Sequence, residues 1–169
     1  MTDSGTQPLL HVVLYQPEIP QNTGTIGRTC VAVGAKLWLV RPLGFHLDNR
    51  HLRRAGLDYW QHLDWEVVDS WADLQQRLAG RRFWYLTKWA KRLVWEADFG
   101  AADVLVFGPE THGLPPSILD QQPDRNLCLP MYPQARSLNL SNAVAAVVYE
   151  AVRQLGGLPK RPDATQLGA

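Results

Sequence analysis

From Ser137 to Leu155 the chain runs a dense polar cluster directly into its most regular apolar pattern. Val144, Val147, Val148, Ala151, Val152 and Leu155 stand at i, i+3, i+4, i+7, i+8 and i+11, which is one stripe of an α-helix. A helix with such a stripe has to bury it, so this one is expected to be a main core element. Ser137, Asn139, Ser141 and Asn142 lie at its start, where hydroxyl and amide oxygens can accept from the unpaired first-turn N–H groups. A cap needs one such residue. Four of them, beside Arg136, favour a ligand site over capping alone.

Upstream, short strand patterns alternate with helical ones. Residues 11–15, 36–40, 66–68, 82–86, 103–107 and 126–129 read as strands, and Asp103-Val-Leu-Val-Phe107 is a continuous apolar run of the kind buried on both faces of a parallel sheet. After the first strand, a turn-rich Pro17–Gly24 hands over to a helix with Ile26, Cys30, Val31 and Val33 inward, stopped by Gly34. Residues 49–55 read as a short helix closed by Gly56, and Ser70 with Asp73 three positions on reads as a capping box opening a helix through Leu78. Pro115 suits the first position of a helix over residues 116–121. The alternation predicts an α/β fold, a parallel sheet flanked by helices, with ligands at the carboxyl ends of the strands. A single domain is expected over residues 9–159, flanked by tails 1–8 and 160–169 that lack periodicity and apolar mass.

Composition mainly excludes. Cys30 and Cys128 have no metal-ligand spacing around them and read as buried thiols. No apolar run is long enough to span a membrane and the N-terminus lacks a signal-peptide profile, so the expectation is a cytoplasmic protein without metal or membrane partner. The formal charge of +1 argues for no polyanion, but its placement is uneven. Arg50, Arg53 and Arg54 cluster, and Arg77, Arg81, Arg82, Lys88, Lys91 and Arg92 occupy a span free of acids, while Asp58, Asp64, Glu66, Asp69 and Asp73 gather elsewhere. One face could therefore be basic and meet an RNA backbone. Trp38 and Trp84 fall in strands and read as core, whereas Trp60, Trp89 and Trp95 lie in basic or polar segments and are candidates for stacking on bases.

There is no G-x-x-x-x-G-K-S/T loop, no G-x-G-x-x-G after the first strand and no G-x-S-x-G elbow. What remains is three segments: Ile19-Pro-Gln-Asn-Thr-Gly-Thr-Ile-Gly-Arg28, Phe107-Gly-Pro-Glu-Thr-His-Gly-Leu-Pro115, and Leu129-Pro-Met131 followed by Ser137-Leu-Asn-Leu-Ser-Asn142. In order and spacing they resemble the three motifs of the trefoil-knotted (SpoU-type, SPOUT) RNA 2′-O-methyltransferases. The segment Leu52-Arg-Arg-Ala-Gly-Leu-Asp-Tyr59 agrees as well, and the resemblance covers residues 10 to 159. It is nearest to the small bacterial members that methylate the wobble nucleotide, cytidine or uridine 34, of leucine tRNA anticodons.

The resemblance implies a sheet whose C-terminal part is knotted, S-adenosyl-L-methionine as cofactor, a tRNA anticodon stem-loop as substrate and a homodimer sharing residues between active sites. By family position Leu86, Thr87, Gly108, Glu110, Gly113, Leu129, Met131, Ser137 and Leu138 surround the cofactor. Arg28 is implied as a contact to the target phosphate and ribose. Because a guanidinium is almost never neutral, it reads better as an orienting clamp than as a base. Asn139 and Ser141 join it in the catalytic set, while Asn22, Arg53, Arg54, Arg136 and Asn142 are placed against RNA. Asn22 could equally cap its helix, and Glu110 could pair with Arg28 or Arg136 instead of serving catalysis. His112 is assigned no role. The alternatives are a non-catalytic RNA-binding module on the same fold and ribose methylation at another RNA site.

Overall fold

The computed structural model describes residues 7–47 and 59–158. Six strands form one sheet in the order β3-β2-β1-β5-β4-β6, every pair parallel. They are β1 (His11–Tyr15), β2 (Lys36–Val40), β3 (Trp65–Val68), β4 (Phe83–Leu86), β5 (Val104–Phe107) and β6 (Asn126–Leu127). The helices are α1 (Pro20–Val33), α2 (Trp71–Arg77), α3 (Pro116–Leu119) and α4 (Leu140–Gln154). The short helix expected over 49–55 lies outside the described residues, as do Arg53 and Arg54.

Alternate side chains of each strand feed two cores. On one face Val12, Leu14, Leu37, Leu39, Trp84, Leu105, Phe107 and Leu127 pack under α1 and α4. On the other, Val13, Trp38, Val40, Phe83, Tyr85, Val104 and Val106 pack under α2 and α3. The stripe of α4 supplies Val144, Val147, Val148 and Ala151 at 0% exposure, with Leu155 half-buried at the end. A fully buried valine contributes about 1.5–3 kcal/mol, so the stripe holds this helix against α1 in the core although the two are far apart in sequence. Trp38 and Trp84 are core as expected.

Helix boundaries depart from expectation at two places. α1 begins at Pro20, inside the segment read as a turn, with Ile19 at the N-cap. Proline at the first position is pre-set for a helix, but isoleucine has no oxygen with which to cap one, and the acceptor comes from elsewhere in the chain. At α3 it is Pro116 that takes the first helical position and Pro115 the cap. Gly34 ends α1 in the left-handed region at φ 71°, as its place in the pattern predicted, and the Ser70 hydroxyl accepts from the Asp73 amide at 3.1 Å to start α2.

The amino ends of β4 and β5 are pinned by Asp103, which accepts from Arg82 Nη2, Trp84 Nε1 and the Gly100 amide, each at 2.8 Å. At the carboxyl ends, the loops after β1 and β5 meet, because these neighbouring strands lead away in opposite directions along the sheet. That is the switch point where open parallel sheets bind ligands.

Candidate active site

A cavity of about 440 Å³ opens at this switch point. Its wall contains Leu86 and Thr87 from the end of β4, Gly108, Glu110 and Gly113 from the loop after β5, and Leu129, Met131, Ser137 and Leu138 from the passage between β6 and α4. All of the residues expected around the cofactor are therefore together. Asn22, Arg136 and Asn139 also line it. Ser141 is buried beside the wall and Asn142 is exposed on α4; neither lines the cavity.

One polar chain joins the three motifs. Asn22 Nδ2 donates to Glu110 Oε1 at 3.2 Å, and Asn22 Oδ1 accepts from Asn139 Nδ2 at 3.0 Å. Asn139 Oδ1 in turn accepts from the Ser141 amide at 2.9 Å and its hydroxyl at 2.6 Å, capping α4. Asn22 is not the cap of α1. It is buried in the first turn of the helix, with 6% exposure, and both ends of its amide are held by the other two motifs.

The α1 start is capped by Glu110. Its carboxylate accepts from the amides of Glu18 at 2.8 Å and Ile19 at 3.0 Å, and its negative charge sits at the positive end of the helix dipole. Glu18 returns the contact, accepting from the Thr111 amide at 3.0 Å and the Thr111 hydroxyl at 2.8 Å. Glu110 thus pairs with neither Arg28 nor Arg136; backbone amides satisfy it at closer range. This clasp was missed because its partners are about ninety residues apart, and Glu18 carried no local signal.

Two glycines shape the loop after β5. A Cβ on Gly108 would lie 2.3 Å from the Gly113 carbonyl carbon and the Leu114 amide nitrogen, and Gly113 has φ 67°. The loop turns back on itself where a side chain would block it. Across residues 129–138 the only backbone-to-backbone hydrogen bond among the described residues is Ala135 N–H to Tyr132 C=O, so most amides and carbonyls there are unpaired with described backbone. Backbone groups left free beside a cavity are available to a ligand that carries its own donors and acceptors.

Arg28 lies on the exposed side of α1, outside the cavity wall. Its Nη2 donates to the Tyr59 hydroxyl at 3.2 Å, and its guanidinium carbon stands 4.7 Å from the Tyr59 ring centroid. The acid-free span is less basic in space than in sequence. Arg77 pairs with Asp73 at 3.2 Å and with Glu66, Arg82 is held by Asp103, and the Arg92 guanidinium is spent on the carbonyls of Asp124 and Glu96. Lys88 and Lys91 are exposed and pair with no acid among the described residues. Trp89, at 78% exposure, and Lys88 both line the cavity, which the sequence did not assign to them. Cys30 is buried, and desolvation pushes its thiol up to about 12; Cys128 is only half-buried. Among the described residues no cluster could hold a metal ion, and no helix is long and apolar enough to cross a membrane.

The chain matches the SpoU rRNA methylase family over residues 9–149. It is 49% identical over 147 residues to the tRNA (cytidine(34)-2′-O)-methyltransferase of Methylovorus glucosotrophus, covering 86% of this chain and 96% of that protein. A structure solved for insight into 2-OH methylation of C/U34 on tRNA superposes with a TM-score of 0.85 at 47% identity, covering 88% of this chain and 97% of the other. The SpoU methyltransferase AviRb from Streptomyces viridochromogenes, solved in complex with AdoMet, superposes with a TM-score of 0.79 at 27% identity, over 90% of this chain and 60% of AviRb.

Proposed function

Because the chain belongs to the SpoU methylase family, we propose that it transfers a methyl group from S-adenosyl-L-methionine to the ribose 2′-hydroxyl of the wobble nucleotide, cytidine or uridine 34, in tRNA anticodon loops, those of leucine tRNAs included. The observation that carries the reading is the single cavity on which all three motifs converge, joined by the Glu110–Asn22–Asn139–Ser141 chain. Relatives near half identity across almost their whole length, named for this reaction, support the substrate.

The residues present fit the cofactor. A volume of about 440 Å³ is in the usual range for small-molecule sites, roughly 300–1,000 Å³. Leu86, Leu129 and Leu138 supply apolar walls, and the unpaired backbone of residues 129–138 supplies hydrogen-bonding groups for a heterocyclic edge. S-adenosylmethionine brings an activated methyl group whose departure needs no acid. The chain's own task is to hold the ribose oxygen in line and ease loss of its proton. Arg28 is assigned to the RNA phosphate, clamping the nucleotide from outside the cofactor cavity. Asn139 and Ser141 hold the α4 start against Asn22, and Arg136 and Asn142, both exposed, are assigned to the RNA. Arg53 and Arg54 are assigned to phosphates by family position.

The catalytic domain is taken as residues 9–159 and the trefoil knot as the passage after β6. That passage leaves the outer strand beside β4 and returns to place α4 against α1. A cytoplasmic homodimer completes the proposal. Ala146 and Tyr149 remain exposed on α4 beside its buried stripe, and a helix apolar on more than one side needs a second cover. Incubation of bulk tRNA with protein and methyl-labelled cofactor, followed by nuclease digestion and mass spectrometry, should find 2′-O-methylcytidine or 2′-O-methyluridine at position 34. Label at another position, or on a base, would refute the assignment, and binding without label would favour a non-catalytic RNA-binding module.

A further inference from the structure

A second hollow, also about 440 Å³, adjoins the first and shares Trp89 with it. Its other walls are Lys91, Arg92, Pro123, Asp124 and Asn126. Trp89 is 78% exposed, the largest exposure among the described tryptophans. The Lys88 ammonium stands 4.8 Å from its ring centroid, and the exposure leaves much of the indole surface open. An apolar ring of this size is costly to leave in water unless something covers it.

Charge says what kind of partner fits. Lys88 and Lys91 stand beside the ring with no acid paired to them among the described residues, and Arg92, though anchored to two carbonyls, adds its charge to the floor. Asp124 is the one acid in the wall; Arg92 donates to its backbone carbonyl, and Lys91 and Arg92 in the same wall outnumber its carboxylate. A flat ring beside unpaired cations suits a base with its phosphate, in which the π-face stacks and the backbone is neutralised. Trp89 also borders the cavity assigned to methyl transfer, so the base concerned is one connected directly to the ribose being methylated.

Resting on the proposed function, we infer that Trp89, with Lys88 and Lys91, forms a subsite for the unpaired RNA nucleotide next to the methylated one. The indole stacks on that nucleotide's base while the two lysines meet its phosphate. The subsite holds the strand splayed, fixing the target ribose over the cavity.

The test uses the full chain, an anticodon stem-loop RNA, and two further RNAs made abasic at one or other neighbour of the target nucleotide. Base–aromatic stacking predicts that Trp89→Ala raises KM for the intact RNA by about five- to a hundredfold. Trp89→Phe should recover most of the loss, and calorimetric affinity for S-adenosylmethionine should stay within about twofold. Trp95, exposed in the same loop but lining neither hollow, falls out of the stacking candidates read from the sequence, and Trp95→Ala should be silent. With one of the abasic RNAs the parent enzyme should fall to the Trp89→Ala level and the substitution should cost nothing more. An equal penalty on all three RNAs, a loss of cofactor affinity, or a shift in subunit association on sedimentation would overturn the subsite. A parent enzyme inactive on every tRNA would instead remove the proposed function and the subsite with it, whereas an active parent indifferent to Trp89→Ala would remove the subsite alone.

Discussion

Replacing Glu110 by alanine tests whether the site is held together by one carboxylate. In the parent structure that carboxylate accepts from Glu18 N–H, Ile19 N–H and Asn22 Nδ2 at 2.8, 3.0 and 3.2 Å. Hydrogen bonds to a charged group contribute about 1.5–3 kcal/mol each in net terms. Ile19 is 42% exposed, so water can replace its acceptor and that bond counts for little. The Glu18 amide and the buried Asn22 have less access to water, and loss of the charge at the α1 dipole costs a further ~0.3–1 kcal/mol. Allowing for partial rehydration, Glu110→Ala should cost about 2–4 kcal/mol. For a chain of this size that is a fall in midpoint of about 5–15 °C.

Glu110→Gln should fall between parent and alanine, because one oxygen still accepts while its NH₂ faces donors. Urea unfolding followed by tryptophan fluorescence reads the stability, and calorimetry reads cofactor affinity, which should drop as the loops after β1 and β5 part. Glu18→Ala removes the reciprocal contacts to Thr111. The double substitution should then cost less than the sum of the two, since both break the same clasp. An alanine variant within about 0.5 kcal/mol of the parent would refute the capping role and leave Glu110 only a chemical one.

Gly108→Ala should weaken S-adenosylmethionine by tenfold or more in calorimetry, because its Cβ would sit 2.3 Å from the Gly113 and Leu114 backbone and force the cavity wall open. Arg28→Ala should lower single-turnover methyl transfer on the order of 10²-fold with cofactor affinity nearly unchanged, and Arg28→Lys should rescue poorly, because a point charge does not reproduce a guanidinium fork. His11 is buried and accepts from Trp38 Nε1 at 3.0 Å; desolvation first, then Arg81 and Lys36, lower its pKa from 6.5 to about 4. The unfolded chain then takes up this proton at a higher pH than the fold does, so the contribution is full above about 6.5, shrinks as pH falls towards 4, and reaches about 3 kcal/mol at most. Urea unfolding at pH 7 and pH 4.5 should show a smaller pH dependence in His11→Gln than in the parent.

The strands and the α4 stripe were legible because their signals are local. Val144 to Val152 repeat at helical spacing, and Val104–Phe107 is apolar throughout, so burial follows from a few neighbouring residues. The start of α1 was not legible in the same way. Pro17–Gly24 has turn composition, and nothing within it caps a helix; the acceptor is Glu110, on the loop of a strand that becomes a neighbour only when the sheet forms. The basic span misled for the same reason. Residues 77–92 hold no acid, yet Asp73 lies one turn before Arg77 on α2, β3 brings Glu66 to it, and Asp103, just ahead of β5, holds Arg82. The cofactor set was read through motif resemblance and coincides with the cavity wall, whereas Lys88 and Trp89 entered it unassigned, since loop composition says nothing of which hollow a loop borders.

The Glu110–Asn22–Asn139–Ser141 chain accounts for two of the four polar residues at the start of α4, Asn139 and Ser141, while Ser137 lines the cavity. Asn139 uses its oxygen on Ser141 and its nitrogen on Asn22, so the same amide that caps α4 fixes α4 to α1. Asn22 then passes the constraint to Glu110, whose carboxylate sets the start of α1. Each link lies between segments that carry cavity-lining residues. A shift of either helix start therefore displaces groups in the cavity wall through these contacts. Because every link is a part-buried polar contact, breaking one leaves a donor or acceptor without a partner, and that cost is what makes the arrangement a single unit.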